Sequence, residues 1–153
     1  MPWLIDTGPL LRLFDRADPQ HSFVRAAISA IRIAGDSVVT TSQNVAELWN
    51  VSTRPSTARG GYGKSVHATI LRVRYVERAF PILPDGPRVY HEWRNLAERY
   101  QIQGVAVHDA RLVATMVVCG IHDLLTLNPN DFRRYLNIRV ETPESIVAAR
   151  SKT

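Results

Sequence analysis

The sequence predicts an α/β protein, a three-layer α/β/α sandwich with a central, mainly parallel sheet. Short β-branched or apolar runs alternate along the chain with stretches whose apolar residues recur at helical spacing. Glycine, proline or aspartate punctuates most of the junctions between them. Strands that alternate with helices return to the sheet by crossover, which makes neighbouring strands parallel and covers both faces.

Each element follows in order. Trp3-Leu4-Ile5 is a short strand ending at Asp6, Thr7-Gly8-Pro9 reads as a turn, and Leu10, Leu11, Leu13 and Phe14 open a short helix. Phe23, Val24, Ala27, Ile28 and Ile31 predict a helix from His21 to about Ala34, stopped by Gly35-Asp36. Residues Ser37 to Thr41, β-branched from Val38 onward, predict the second strand. Ser42 is placed to cap a helix whose apolar face includes Val45, Leu48 and Trp49, and Pro55 breaks it. A glycine-rich loop spans 55–64, then a helix runs from Ser65 to Ala79 and a strand from Phe80 to Leu83. Asp85-Gly86-Pro87 turns into a helix carrying Val89, Trp93, Leu96 and Tyr100. Asp109 lies in the first turn of an apolar helix with Leu112, Val113, Met116 and Val117, which Gly120 stops. Leu124–Leu127 and Ile138–Val140 are the last strands, and a helical turn around Glu144 to Ala149 follows.

The 153 residues fit one domain, 1–153, with enough apolar sequence (45%) for a core and a charged fraction (22%) that argues against disorder. No run is long enough to span a membrane and MPWLIDTG does not read as a signal peptide, so a cytoplasmic, membrane-free protein is expected. The one cysteine, Cys119, lies in an apolar stretch, which makes it a buried core residue and leaves no internal disulfide. Net charge is +5, and all the basic residues except Lys64 and Lys152 are arginine, whose planar fork suits phosphate.

Chemistry rests on scattered acids. The sequence has no cysteine cluster, no HExxH and no P-loop; ARGGYGKS lacks the Walker spacing. Ligands of parallel sheets gather beyond the carboxyl ends of the strands. Asp6 follows the first strand and Asn128 the LLTL strand, while Glu47 and Asp109 sit near enough to the starts of their helices to face the same edge. Each acid alone has a structural use: Asp6 as an Asx turn or cap, Glu47 as a solvated helix residue, Asp109 at the positive end of a helix dipole, Asp131 in a turn. Together they form an oxygen-rich set of the kind Mg²⁺ prefers.

LIDTGPLL, TSQNVAELWNVSTRP, VHDARLVATMVVCGI, LLTLNPNDF and RVETPESI, in this order and spacing, resemble PIN domains, specifically the VapC-type ribonuclease toxins of bacterial toxin–antitoxin pairs. The resemblance implies a PIN-like fold with Asp6, Glu47 and Asp109 at the first three acidic positions. It puts Asn128 at the fourth, where many PIN nucleases carry aspartate, and leaves Asn128 or Asp131 to complete the set. It also implies supporting polar roles for Thr7, Ser42 and Thr126. The implied function is a Mg²⁺- or Mn²⁺-dependent endoribonuclease with Asp6, Glu47, Asp109 and Asn128 around the metal; the alternative is a PIN-like module that binds RNA or protein without cleaving. Implied partners are an RNA substrate, a cognate antitoxin and a second copy of the chain; the apolar helices at 21–34 and 65–79 are the candidates for the dimer contact, with core helices as their other reading. Arg12, Arg54, Arg59, Lys64 and Arg111 stand beside the motif segments as candidates to hold RNA, with Tyr62 to stack a base or its loop to grip phosphate. His108 is a candidate general base, with a helix cap or a structural hydrogen bond as its other readings.

Overall fold

The computed structural model describes residues 1–150; residues 151–153 of the expected domain, Lys152 included, lie outside the described residues. Five strands form one sheet in the order β3-β2-β1-β4-β5, and every neighbouring pair is parallel. The strands are β1 (Pro2–Ile5), β2 (Ser37–Thr41), β3 (Ile82–Leu83), β4 (Asp123–Leu125) and β5 (Arg139–Glu141). Seven helices connect and flank them: α1 (Thr7–Arg12), α2 (Gln20–Ile33), α3 (Ser42–Thr53), α4 (Val66–Ala79), α5 (Pro87–Arg99), α6 (Ala106–Cys119) and α7 (Pro143–Arg150).

The three layers follow from strand periodicity, because successive side chains point to opposite faces. On β1, Trp3 and Ile5 enter one core with Leu10, Val24, Ile28, Leu48 and Val76, whereas Leu4 enters the other with Val89, Leu112, Val113 and Met116. Val38 and Val39 divide between the cores in the same way, as do Leu125 and Leu124. Both sheet faces are therefore buried, which explains why the strands are almost wholly apolar.

Several boundaries differ from the sequence expectation. Thr7-Gly8-Pro9 is the first turn of α1 and not a separate turn, because the Asp6 carboxylate accepts the Thr7 N–H at 2.7 Å and caps the helix, while proline is tolerated in a first turn. Thr41, not Ser42, caps α3: its hydroxyl accepts the Asn44 N–H at 3.1 Å, and Ser42 is already helical. The buried face of α3 is Asn44, Leu48 and Ser52, while Trp49 turns outward. Ser65 caps α4 from outside it, and β4 ends at Leu125, leaving Thr126 and Leu127 beyond the strand. Strand β3 is shorter than expected, Ile82–Leu83, because Phe80 completes the end of α4 with its N–H bonded to the Val76 carbonyl. Strand β5 runs one residue later than expected, and Cys119 is only partly buried at the edge of the second core. Gly120 ends α6 in the left-handed region at φ 66°.

The strand order also locates the site. From β1 the sheet grows to β2 and β3 on one side and to β4 and β5 on the other. The chain reverses direction of growth at β1/β4, and a crevice opens at the carboxyl ends of such a pair. Ile5 pairs with Leu125, so Asp6 and Thr126 leave the sheet side by side.

Candidate functional site

Asp6 stands at this switch point with its backbone N–H bonded to the Leu125 carbonyl at 3.0 Å. Its two carboxylate oxygens are separately engaged: one accepts the Thr7 N–H and the other the Thr126 hydroxyl, both at 2.7 Å. Thr126 in turn accepts the Asn128 N–H at 3.1 Å, which links Asp6 to the turn at 128–131. Glu47, on α3, receives the Thr7 hydroxyl at 2.8 Å and the Gln43 amide at 3.0 Å. The same Gln43 amide reaches the His108 carbonyl at 3.0 Å and so ties α3 to the first turn of α6, where Asp109 sits.

Electrostatics bind these acids into one group. Burial is the largest influence on Asp6 and raises its pKa; Glu47 and Asp131 raise it further, against the lowering effect of the bonds from Thr126 and Thr7. Asp109 is pushed up to about 6, first by burial and then by the charges of Asp6, Asp131 and Glu47, with His108 opposing weakly. The charges of Glu47 and Asp131 thus press on Asp6, and those of all three press on Asp109. Asp131 belongs to the group through its charge although its side chain is exposed, whereas Asn128 contributes no charge and is joined through its backbone.

A groove of about 560 Å³ is lined by two of these acids, Glu47 and Asp109, together with Thr7, Gln43, Arg54 and His108 among others. Among the described residues no three acidic, histidine or cysteine side chains form a ready-made metal-ligand set. The oxygens of Asp6 and Glu47 are instead turned toward their hydroxyl and amide donors. Each carboxylate oxygen keeps a second lone pair beyond these bonds, so an all-oxygen donor set under mutual repulsion suits a hard cation.

The expected supporting residues divide. Thr7 and Thr126 each touch an acid directly. Ser42 does not: it is exposed on the first turn of α3, and the buried polar support comes from Asn44. The Asn44 amide donates to the Ile5 carbonyl at 2.8 Å, and its oxygen lies 3.3 Å from the Thr7 hydroxyl, so it fixes the end of β1 against α3. Sequence reasoning does not single out Gln43 or Asn44: the signal of Asn44 is a buried polar position at i, i+4 with Leu48, hidden by a helix face that includes Trp49, and that of Gln43 is its i, i+4 spacing to Glu47. Replacing Asn44 by alanine leaves the Ile5 carbonyl with only the longer bond from the Thr40 hydroxyl, 3.4 Å, and is expected to cost about 0.5–1.5 kcal/mol in urea unfolding. A cost near zero would show that Asn44 does not hold this junction.

Of the basic candidates, Arg54 lines the acid groove and Arg111 lines the adjoining one, paired to Asp85 at 2.5 Å. Arg12 is turned to Asp18, 3.2 Å away, and is not among the groove residues; neither are Arg59 and Lys64, which are exposed on the glycine-rich loop. That loop is stitched to the end of α3 by the N–H groups of Tyr62, Gly63 and Lys64. A Cβ at Gly61 would stand 2.2 Å from the Pro55 carbonyl oxygen, so only glycine allows this closure. Tyr62 packs against the core with the Arg72 guanidinium 5.8 Å from its ring and is not free to stack a base. The His108 side chain is exposed and lines the groove; it is not a cap, and its backbone carbonyl makes the structural bond.

Known proteins share this fold. The model of the PIN domain family matches residues 3–137. No curated protein sequence matches the chain. Among solved structures, VapBC2 from Rickettsia felis bound to a DNA fragment from their promoter is similar with a TM-score of 0.68 at 14% identity, covering 93% of this chain and 98% of that one. A toxin–antitoxin complex from Klebsiella pneumoniae gives 0.62 at 18% identity, covering 92% and 96%. FitAcB from Neisseria gonorrhoeae gives 0.60 at 20% identity, covering 93% and 98%. At such identities the likeness is one of fold, and it agrees with the five-stranded parallel sheet. With most of its length inside the family match and its acids gathered at the β1/β4 edge, the chain belongs to the PIN domain family.

Proposed function

We propose that this protein is a divalent-metal-dependent endoribonuclease and the toxin of a toxin–antitoxin pair. The observation that carries the reading is the pressure of neighbouring carboxylate charges on Asp6 and Asp109 beside an open groove that Glu47 and Asp109 line, a pressure which a cation would relieve and a phosphodiester alone would worsen. Asp6, Glu47 and Asp109 would hold Mg²⁺ or Mn²⁺, with Asn128 or Asp131 completing the shell. When bound, such an ion offsets the charge of the phosphodiester and lowers the pKa of a coordinated water. Thr126 and Thr7 hold the Asp6 and Glu47 oxygens in place, and Gln43 keeps Glu47 aligned with the helix that carries Asp109. Without metal, burial and the neighbouring acids raise the Asp109 pKa to about 6, so this carboxylate gains from a bound cation. Arg54, at the groove wall, is placed to bind phosphate oxygens.

The toxin assignment is supported by the fold shared with toxin–antitoxin complexes. Its partner would be an antitoxin whose C-terminal segment occupies the groove. A homodimer through the exposed apolar residues of α2 and α4 (Phe23, Ile33, Leu71 and Tyr75) is part of the same reading, and light scattering of the purified protein tests it: a monomer across the micromolar range would refute it. The decisive assay incubates the protein with a broad pool of RNA and Mg²⁺ or Mn²⁺, with EDTA and Asp109→Asn as controls. Cleavage is expected only without EDTA and with Asp109 intact. Cleavage that survives both controls refutes the carboxylate–metal mechanism. Binding without any cleavage supports the non-cleaving module instead.

A further inference from the structure

The acid groove does not end at Asp109. Through Gln43, Ala46 and His108 it continues into a depression of about 290 Å³. That depression shares His108 and Arg111 with a third, of about 340 Å³, whose remaining wall is Tyr90, Trp93 and Val107. The three together make an open track from the carboxylates to an aromatic platform on α5, a shape suited to an extended polymer and too open for a compact ligand.

The platform is rigid at its base. The Trp93 indole N–H donates to the Val107 carbonyl at 3.0 Å, which pins the ring to the first turn of α6, two residues before Asp109. Tyr90 lies one helical turn earlier with its ring centroid 6.0 Å from that of Trp93 and inclined by 41°. Tyr90 is 56% exposed, so a large flat face is presented to solvent beside a site that handles anions. Arg111 stands at the mouth. Its pair with Asp85 is exposed on both sides, and such surface pairs hold their partners weakly, so a phosphate can compete for the guanidinium. An aromatic face with a neighbouring arginine is the recurrent chemistry for an unpaired nucleotide, the ring stacking on the base and the guanidinium reaching the phosphate. The chain's net charge of +5 favours the same polyanionic occupant.

We propose that Tyr90 and Trp93, with Arg111 at their edge, form a base-stacking subsite for an unpaired RNA nucleotide flanking the phosphate held over the acids. This rests on the reading of the site as RNA-cleaving and adds to it a requirement for single-stranded substrate. Tyr90 is the main contact and Trp93 its support.

The test measures binding of short fluorescein-labelled single-stranded RNAs by anisotropy in the Asp109→Asn background, where RNA survives the measurement. Tyr90→Ala is expected to weaken binding about 5- to 100-fold, the scale of one lost base stack. Tyr90→Phe and Tyr90→Trp keep the stacking face and are expected to retain affinity. Scanning the RNA with a single abasic nucleotide should reveal one position at which the abasic change weakens binding with Tyr90 present and has no further effect in Tyr90→Ala. Because Tyr90 is exposed, Tyr90→Ala keeps the unfolding midpoint of its parent. If Tyr90→Ala binds RNA as its parent does, the subsite is refuted while the ribonuclease reading stands. If the parent with Tyr90 binds no RNA, both fall. If Tyr90→Ala leaves RNA binding intact and loses a protein antitoxin, the platform belongs to that partner and the RNA assignment is overturned.

Discussion

Asp6→Asn is expected to lower metal-dependent RNA cleavage by at least about 100-fold, the usual scale when one preorganised charge-stabilising group is removed, and to end growth inhibition on expression. The same substitution should change the stability of the metal-free fold by no more than about 1 kcal/mol. Asparagine keeps the cap through its one oxygen and its neutral side chain no longer repels Glu47 and Asp131, while its NH2 replaces the oxygen that accepts the Thr126 hydroxyl. Asp6→Ala is the contrasting variant. It removes the charge and the cap together and should cost about 1 kcal/mol of stability in addition to activity. The pair of variants separates chemistry from architecture at a residue that serves both. A protein with Asp6→Asn that still cleaves RNA and arrests growth would exclude the Asp6 charge from the mechanism, and one that unfolds would show that the charge has a structural partner.

The second large effect is a reversal of pH dependence by metal. Asp109 titrates near pH 4 in an unfolded chain and near 6 in the fold. Between those values the folded protein keeps a proton that the unfolded chain has lost. The contribution of Asp109 to stability is therefore full below about pH 4 and is lost as pH rises through about 6. Asp6 acts in the same direction. In EDTA, this site should thus make the protein less stable at pH 7.5 than at pH 5.5, and Asp109→Asn should flatten the slope in that window. Mg²⁺ or Mn²⁺ should have the opposite trend, since cation and proton compete for the same oxygens. At a hundredfold excess over its Kd the ion adds about 2.7 kcal/mol, with the gain growing from pH 5.5 to 7.5. Thermal unfolding across pH, with and without metal, measures both arms. A metal-induced shift in melting temperature that does not change with pH, or one that persists undiminished in Asp109→Asn, would refute the coupling.

Product specificity would then be decided beyond the acids. On the proposed reading, a groove that extends past His108 and Arg111 to Tyr90 and Trp93 would discriminate by whether a nucleotide can leave its stack, and duplex RNA would bind poorly for that reason. The acids themselves carry no information about sequence, because a phosphodiester looks alike between any two nucleotides.

What was legible in the sequence was whatever a short window determines. The strands at β1, β2 and β4 are apolar because both of their faces are covered, and that density of apolar residues is visible without any tertiary information. Asp6 and Asp109 were recognisable because each abuts an element boundary, where side chains meet a sheet edge or a helix terminus. The order of the family segments then carried the fold. Helix phase and rotation were not legible. A residue or two of error at the start of α3 moved the cap from Thr41 to Ser42, set Trp49 in the core instead of Asn44, and concealed the amide that joins β1 to the site.

Tertiary structure alone decided which polar groups meet. The Thr126–Asp6 bond spans 120 positions of sequence and exists because parallel pairing sets Ile5 against Leu125. The same long-range placement turned Arg12 toward Asp18, packed Tyr62 under Arg72, and brought Arg54 and the α5 aromatics to the groove. Local sequence determines the elements through backbone propensity and burial period, which act over a few residues. A site depends on directions at their ends, and those are settled only when the sheet registers and the helices pack.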